Sequence, residues 1–459
     1  MIDNQARVKV SRVLVANRGE IALRAVRVCR LLGLETVAVY SHADVHSPHV
    51  EAADRSVCIG PPPSAQSYLS IPALLHVAKE TGCDAVYPGY GFLSEKADFV
   101  EACEANAMKF IGPSADVIRM MGDKAKAREM AQRFDVPVVP GSDGIFASGE
   151  EAEAAANKIG YPLLLKARSG GGGRGMRVAE DAGGFLSAFS QAAREAEAAF
   201  SDGAIYLERF FPAVRHIEIQ VLGDGQGNAL VMDERDCSIQ RRHQKLVEES
   251  PSPVVGPELR AKLRDAAGRL TRGIAYEGAG TVEFIFDEAS GEFFFIEMNT
   301  RIQVEHPVTE MRTGLDLVQQ QFKIAQGHPL PDLDENTMPG GHAIEFRINA
   351  EDWVRGFVPS PGRLDEWQPP EGHGVRFDSA VHQGYAITPY YDSMIGKLII
   401  HGRDREEALA RSRSALSDFR CEGVSSTIGF HRILVDDADF LANRIHTRWT
   451  ETVLPETSG

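Results

Sequence analysis

Paired cysteines are missing from this chain. Its six (Cys29, Cys58, Cys83, Cys103, Cys237 and Cys421) are scattered through 459 residues without a CxxC pair. That pattern fits reduced thiols in a cytosolic protein and speaks against a disulfide scaffold or a cysteine zinc site. No apolar run approaches the roughly 18 residues of a membrane span, and Met1 to Arg12 lacks a signal-peptide core. A cytoplasmic location with no membrane partner is therefore expected. An excess of positive charge is also missing: 49 Lys and Arg stand against 65 Asp and Glu, a net charge of −16. Broad binding to nucleic acid is disfavoured on that ground, although Arg241-Arg242-His243-Gln244-Lys245 leaves room for an anionic small molecule. There is no internal repeat and no low-complexity linker. At this length two to four domains are expected.

Val13-Leu14-Val15-Ala16 reads as a buried strand, followed by a tight Asn17-Arg18-Gly19 turn and a helix from about Glu20. Ile21, Ala25, Val28, Cys29 and Leu32 fall on one side of that helix, and Gly33 suits its C-terminal stop. Thr36 to Tyr40 completes a βαβ unit, and Ala85-Val86-Tyr87 runs into the loop Pro88-Gly89-Tyr90-Gly91. The N-terminal region reads as a doubly wound α/β domain. The GxGxxG fingerprint is absent after its first strand, so dinucleotide binding is not supported. Beyond Asp123, Lys124 to Phe134 is helical and charged, and Val136 to Gly141 looks like a boundary. Tyr161 to Lys166 is a strand ending in lysine, with Ser169-Gly170-Gly171-Gly172-Gly173-Arg174-Gly175 after it. Consecutive glycines let backbone N–H groups approach phosphate oxygens closely, and Lys166 and Lys124 supply point cations. No Gly-Lys-Ser/Thr ends the loop, which excludes a Walker A motif. From about Gly340, alternating strands and loops lead to a helix near Glu406 to Phe419.

The most informative stretch is Glu297 to Glu305. Glu297, Asn299, Arg301, Gln303 and Glu305 recur with period two, so an extended backbone would set all five on one face. Carboxylates and amide oxygens suit a hard cation such as Mg²⁺, and the arginine suits an anion. Thr281 to Asp287 reads as the partner strand of a hairpin. An odd loop would pair Glu283 with Glu297, a repulsion that a bridging divalent cation removes. Arg215 to Val221 alternates His216, Glu218 and Gln220 with Ile217, Ile219 and Val221, and reads in isolation as a half-exposed strand. His42, His46 and His49 read as part of a solvated loop, and Cys237 as a buried inert thiol.

Taken together these segments resemble the biotin carboxylase family of ATP-grasp enzymes along essentially the whole chain. The resemblance rests on Ala16-Asn17-Arg18-Gly19-Glu20-Ile21-Ala22, Pro88 to Glu95, Met121-Gly122-Asp123-Lys124 and the glycine loop. It continues through His216 to Gln220, Glu234 to Ser238, Gln240 to Lys245, Glu297 to His306, Arg347 to Asp352 and Tyr390 to Met394. It implies an α/β and α+β multidomain protein in three parts: an N-terminal doubly wound domain at 1–122, an ATP-grasp region at 123–335 with a glycine-bearing lid at about 139–212, and a C-terminal domain at 336–459. It implies that Lys124, Lys166, Gly172, Gly173, Glu208, Arg209, Phe210, Phe211, His216, Gln240, His243, Glu283 and Glu297 meet ATP. Glu283, Glu297 and Asn299 would hold Mg²⁺, with Mn²⁺ as an alternative. Lys245, Arg301, Gln303 and the Val304 N–H would hold bicarbonate, and Tyr90 and Arg347 would meet biotin. Glu305 is the candidate base, positioned by Arg301 and Gln303, and Lys245, Arg301, Glu305 and Arg347 carry the chemistry.

Biotin in this family rides on a lysine within Ala-Met-Lys-Met. That tetrapeptide is absent, and the chain ends soon after Trp449. Biotin is therefore expected to arrive on a separate carrier protein, with a carboxyltransferase as the further partner; that transferase, not encoded here, chooses the acceptor of the carboxyl group, an acyl-CoA with acetyl-CoA favoured, or an oxo acid. A homodimer is implied too, although Leu31 stands where some relatives place an acid in that contact and His373 replaces an aromatic. Arg168-Ser169 also departs from the usual small residues before the glycines. The competing readings are another ATP-grasp carboxylate–amine ligase, which would have no use for Tyr90 and Arg347, and a non-catalytic nucleotide-binding subunit, which would not need Lys245, Arg301 and Glu305 intact.

Overall fold

The computed structural model describes residues 9–142, 144–167, 176–200, 202–333 and 338–453. Arg168, Ser169, Gly172 and Gly173 lie outside the described residues. The chain divides into two compact units. One comprises Met1–Val136, Arg215–Phe284 and Glu297–Gly459, and the other Pro137–Val214 and Ile285–Ile296.

In the first unit, the N-terminal sheet takes the order β3-β2-β1-β4-β5 from β1 (Arg12–Val15), β2 (Glu35–Ser41), β3 (Arg55–Gly60), β4 (Ala85–Tyr87) and β5 (Lys109–Phe110). Every pairing is parallel. Such strands are covered on both faces, which is why Val13, Leu14, Val15, Val37, Ala38 and Val39 are all buried. The helix Gly19–Leu31 buries Ile21, Ala25, Val28 and Cys29, the side its sequence marks. The order of strands reverses beside β1 and β4, and ligands of open α/β sheets bind at the carboxyl ends of strands there. At that point the turn after β1 meets the loop after β4. Asn17 Nδ2 donates to the carbonyls of Pro88 at 2.7 Å and Tyr90 at 2.8 Å. Gly89 permits the approach: it has φ +62°, and a Cβ there would stand 3.1 Å from Asn17 Nδ2 and Ile21 Cγ1.

The second unit holds β6 (Leu163–Ala167), β7 (Met176–Ala179) and β8 (Ile205–Arg209) in the antiparallel order β7-β6-β8. Leu163, Leu165, Ile205 and Leu207 pack against Ala152 and Ala156 of one helix and Phe185 and Phe189 of another.

The largest sheet uses β9 (Arg215–Asp224), β10 (Ala229–Arg241), β11 (Gln244–Ser250), β12 (Glu277–Asp287), β13 (Glu292–Asn299) and β14 (His342–Asn349), of which residues 285–287 and 292–296 are counted with the second unit. Its order is β13-β12-β9-β10-β11-β14, followed by the strands Met394–Gly402 and Val375–Asp378. Arg242 and His243, at φ 48° and 65°, make the β10–β11 turn, the positive-φ pair a tight hairpin requires. On β14, Ile344, Phe346 and Ile348 enter a core with Leu398, Ile400, Ala408 and Leu416. Ala343 packs on the opposite side against Val308 of the helix His306–Thr313 and Ile399. Glu345 and Arg347 share the face of Ala343 by alternation. Glu249 ties this end together, accepting from Arg405 Nε at 2.8 Å with His342 Nε2 also at 2.8 Å. Burial pushes that carboxyl up, but His342 and Arg405 outweigh it and hold its pKa at about 2. No helix among the described residues is long and apolar enough to cross a membrane.

Two sequence expectations need correction here. The strand at Arg215 is not half-exposed: Glu218 and Gln220 are fully buried with their apolar neighbours. His49 is not solvated either. It is buried against Ser47 Oγ at 2.8 Å, and desolvation lowers its pKa to about 4.

Candidate functional site

β13 stops at Asn299, residues 300–304 are irregular, and Glu305 precedes the helix His306–Thr313. The five-residue polar face expected of one extended strand is therefore broken after its second member. Two local forces turn the chain. Glu95 accepts from Thr300 N at 3.1 Å and Arg301 Nε at 2.9 Å, and Pro307 favours a helix start at that place. The turn nonetheless returns the later residues to the sheet. Gln303 Nε2 donates to Glu283 at 2.6 Å, and Asn299 Nδ2 donates to the same oxygen at 2.8 Å.

Lys245, on β11, is the hub. Its Nζ reaches Glu305 at 2.5 Å, Glu218 at 2.6 Å and Glu283 at 3.1 Å. Burial opposes its charge, but the acidic groups around it outweigh that and raise its pKa well above the lysine range. Arg235 on β10 satisfies the other Glu218 oxygen at 2.5 Å and is braced by Gln220 at 2.7 Å and Thr309 at 3.0 Å. His216 Nε2 lies 3.1 Å from Glu283. Breaking such a buried pair by removing one partner typically costs about 3–5 kcal/mol, so these side chains are held firmly.

Arg347 on β14 donates to Glu248 at 2.6 Å and to Glu305 at 2.9 Å. Glu305 thus sits between Lys245 and Arg347. Burial raises its pKa, but these two cations outweigh it and hold the carboxyl well below its usual range. Arg301 and Gln303 do not position Glu305, contrary to the strand-face expectation. Arg301 bonds Glu95 and Asn299 Oδ1, the latter at 3.0 Å, and Gln303 serves Glu283. The physical reason is the turn after Asn299, which sends alternate side chains in different directions.

Burial and then the charge of Glu283 push the Glu297 acid upward, while Glu283 is held well below its usual range by Lys245 and His216 against the effect of burial. Two acids driven apart in this way, with Asn299 touching one of them, fit a divalent cation. Lys124 opens the helix Lys124–Arg133, is exposed, and its charge acts on Glu297. Gln240 is buried near the end of β10, and His243 is exposed at the hairpin turn without a hydrogen bond to the cluster among the described residues. Tyr90 donates to Glu20, which pairs with Lys397 at 3.0 Å. Lys397 in turn donates to the Val304 carbonyl at 2.9 Å. Cys237 is fully buried, and desolvation pushes its thiol well above its usual range.

In the second unit Lys166 pairs with Glu208, and Arg209 donates to the Ile159 carbonyl at 3.3 Å. The Phe210 N–H donates to the Pro162 carbonyl at 2.9 Å, and Phe211 stacks on Phe294 with ring centroids 5.2 Å apart.

Arg235, Glu248, Glu95 and Lys397 were not assigned to the site from sequence. Lys397 carried the clearest signal, a lone lysine within Met394-Ile395-Gly396-Lys397-Leu398-Ile399-Ile400. A charge in such an apolar run needs a buried partner.

Three stretches match family models: residues 9–118 match "Biotin carboxylase, N-terminal domain", 123–333 "Carbamoyl-phosphate synthase L chain, ATP binding domain", and 345–452 "Biotin carboxylase C-terminal domain". The chain belongs to the biotin carboxylase family. It is 51% identical over 443 residues to Biotin carboxylase 1 of Bacillus subtilis, covering 96% of this chain and 98% of that one. The biotin carboxylase of Campylobacter jejuni, solved as a β,γ-ATP complex, superimposes with TM-score 0.88 at 46% identity over 97% of this chain and 99% of that one. The biotin carboxylase domain dimer of Hydrogenobacter thermophilus 2-oxoglutarate carboxylase, solved with MgADP, ADP and bicarbonate, gives TM-score 0.86 at 46% identity, covering 97% and 98%. Like other biotin carboxylases, the chain is an enzyme of three-part α/β architecture that carboxylates biotin at the expense of ATP.

Proposed function

We propose that the chain carboxylates biotin borne on a separate cytoplasmic carrier protein, by way of carboxyphosphate, and that a partner carboxyltransferase then passes the carboxyl group to an acyl-CoA, acetyl-CoA in the first instance. The observation that carries the reading is Glu305 suspended between Lys245 and Arg347. In support of a separate carrier, the Bacillus subtilis relative, itself named a biotin carboxylase, is matched over 98% of its own length. Acceptors differ within the family: the Hydrogenobacter relative belongs to a 2-oxoglutarate carboxylase. A homodimer is part of the proposal, with exposed Leu31 on the helix Gly19–Leu31 as a contact residue.

Glu283, Glu297 and Asn299 would hold Mg²⁺ or Mn²⁺, which when bound neutralises charge on the nucleotide phosphates. Lys124, Lys166, Glu208 to Phe211, His216, Gln240 and His243 are assigned to ATP. Lys245, Arg301, Gln303 and the Val304 N–H are assigned to bicarbonate, and Tyr90 and Arg347 to biotin. A bicarbonate oxygen attacks the γ-phosphorus and ADP leaves, while Glu305 takes the bicarbonate proton. Carboxyphosphate then breaks to CO₂ and phosphate, phosphate takes the biotin N1 proton, and N1 attacks CO₂. Arg347 stabilises the ureido enolate as a preformed cation aimed at developing charge.

Glu305 is weakly basic while both cations hold it. Bicarbonate drawing Lys245 away and biotin drawing Arg347 away would each raise its basicity, so the base strengthens as the site fills. Purified chain should carry no covalent biotin by intact mass. It should carboxylate free biotin slowly and a biotinylated carrier much faster, because specific docking raises the effective concentration of biotin at the site. A biotinyl adduct on this chain, or a carrier no better than free biotin, would overturn the reading.

A further inference from the structure

Behind Arg347 lies a pair of acids that the mechanism above does not use. Glu248 on β11 and Glu345 on β14 are direct cross-strand partners in the antiparallel ladder. Side chains opposite one another in such a ladder have Cβ atoms roughly 4.5–5.5 Å apart, and like charges there repel. Both residues are fully buried. Neither carboxyl oxygen of Glu345 has a hydrogen-bond partner among the described residues, nor does Glu248 Oε2. The nearby cations are already engaged. Lys397, on the neighbouring strand, is paired with Glu20, which also accepts from Tyr90. Arg347 is divided between Glu248 and Glu305, and Lys245, whose charge also reaches Glu248, is paired with Glu305, Glu218 and Glu283. On the helix that covers this face, buried His306 is held neutral by desolvation and then by the charge of Lys397. Among the described residues no uncommitted cation remains to neutralise a second carboxylate beside Glu248, and an uncompensated buried charge is expensive.

We infer that Glu248 and Glu345 share one proton and act as a positioning pair that sets the negative charge facing Arg347. The inference rests on the assignment of Arg347 to biotin. With the proton in place, Arg347 faces one carboxylate on its inner side and one, Glu305, on its outer side. It can then turn toward the ureido oxygen while the proton keeps Glu248 and Glu345 from both being charged. Without the proton, two inner carboxylates hold the guanidinium back. Burial raises both acids: Glu248 to about 7, with the charge of Glu305 adding to it against Arg347, and Glu345 well above its usual range, with the charge of Glu248 adding to it against Lys397.

An acid raised in the folded state stabilises that state below its ordinary pKa, and the contribution is lost as pH climbs through the raised value. Above about pH 7 the pair holds its one shared proton, and this stability and Arg347 mobility are lost as pH climbs further, through the raised value of Glu345.

The test reads the chain without substrates first. Infrared difference spectra of the wild-type protein near neutral pH should contain the C=O stretch of a protonated buried carboxylic acid. Glu345→Gln should abolish that band, and so should Glu248→Gln, because either change leaves a single acid free to ionise beside Arg347. The melting temperature of Glu345→Gln relative to wild type should rise as pH climbs from neutral into the alkaline range, where the pair loses its last proton. The alkaline limb of its biotin carboxylation profile should move to higher pH with KM for ATP unmoved. Absence of the wild-type band, a band lost in Glu345→Gln alone, or a melting difference unchanged between neutral and alkaline pH would overturn the shared proton. Those readouts need no biotin, so their failure leaves the proposed function standing. Failure of carboxylation with the band intact would instead sink that function.

Discussion

Replacing Glu305 with alanine is expected to cut bicarbonate-dependent ATP hydrolysis by about 10² or more, while nucleotide affinity stays near wild type. The carboxylate bonds Lys245 at 2.5 Å and Arg347 at 2.9 Å. Removing it takes away the proposed base and also frees both cations. The freed Lys245 still has Glu218 and Glu283, and Arg347 still has Glu248, so the fold should survive. Steady-state ATPase measurements with and without bicarbonate, beside equilibrium nucleotide binding, separate the two effects. Bicarbonate-dependent turnover at the wild-type rate would remove Glu305 from the mechanism.

Glu297→Gln is expected to reduce ATP turnover by about 10², since a metal at a transferring phosphoryl group contributes several kcal/mol. The substitution keeps shape and removes charge. It also relieves the repulsion that raises this acid beside Glu283, so the variant should be no less stable than wild type without divalent ions. Its Mg²⁺ titration should shift to higher concentration, with partial rescue at saturation. An unshifted titration with normal turnover would show that the acids do not hold metal.

The N-terminal sheet was legible because parallel strands buried on both faces appear as unbroken apolar runs, as in Val13 to Ala16. β9 was harder: its polar side is buried against other polar side chains, Glu218 against Lys245 and Arg235 and Gln220 against Arg235. Alternation alone cannot distinguish such a face from a solvated one. The turn after Asn299 was not legible, because its anchor Glu95 lies about 205 positions away in sequence. Most groups meeting at Glu283 and Glu305 were named from sequence. Their pairing was not, since Lys245, Glu283, Glu305 and Arg347 come from four separate elements joined only by the sheet order and the return of the loop. Glu345 gave no signal at all. Within His342 to Asn349 it alternates like any outward acid, and only the register with Glu248 shows that another acid stands opposite.

The central claim is that bicarbonate is activated by direct transfer of the γ-phosphoryl group to one of its oxygens. Freshly dissolved bicarbonate labelled with ¹⁸O, turned over with ATP and a biotinylated carrier, tests it most directly when the released phosphate is weighed by mass spectrometry. The account predicts one ¹⁸O in each phosphate released alongside carboxybiotin. Carboxybiotin formed with unlabelled phosphate would contradict it.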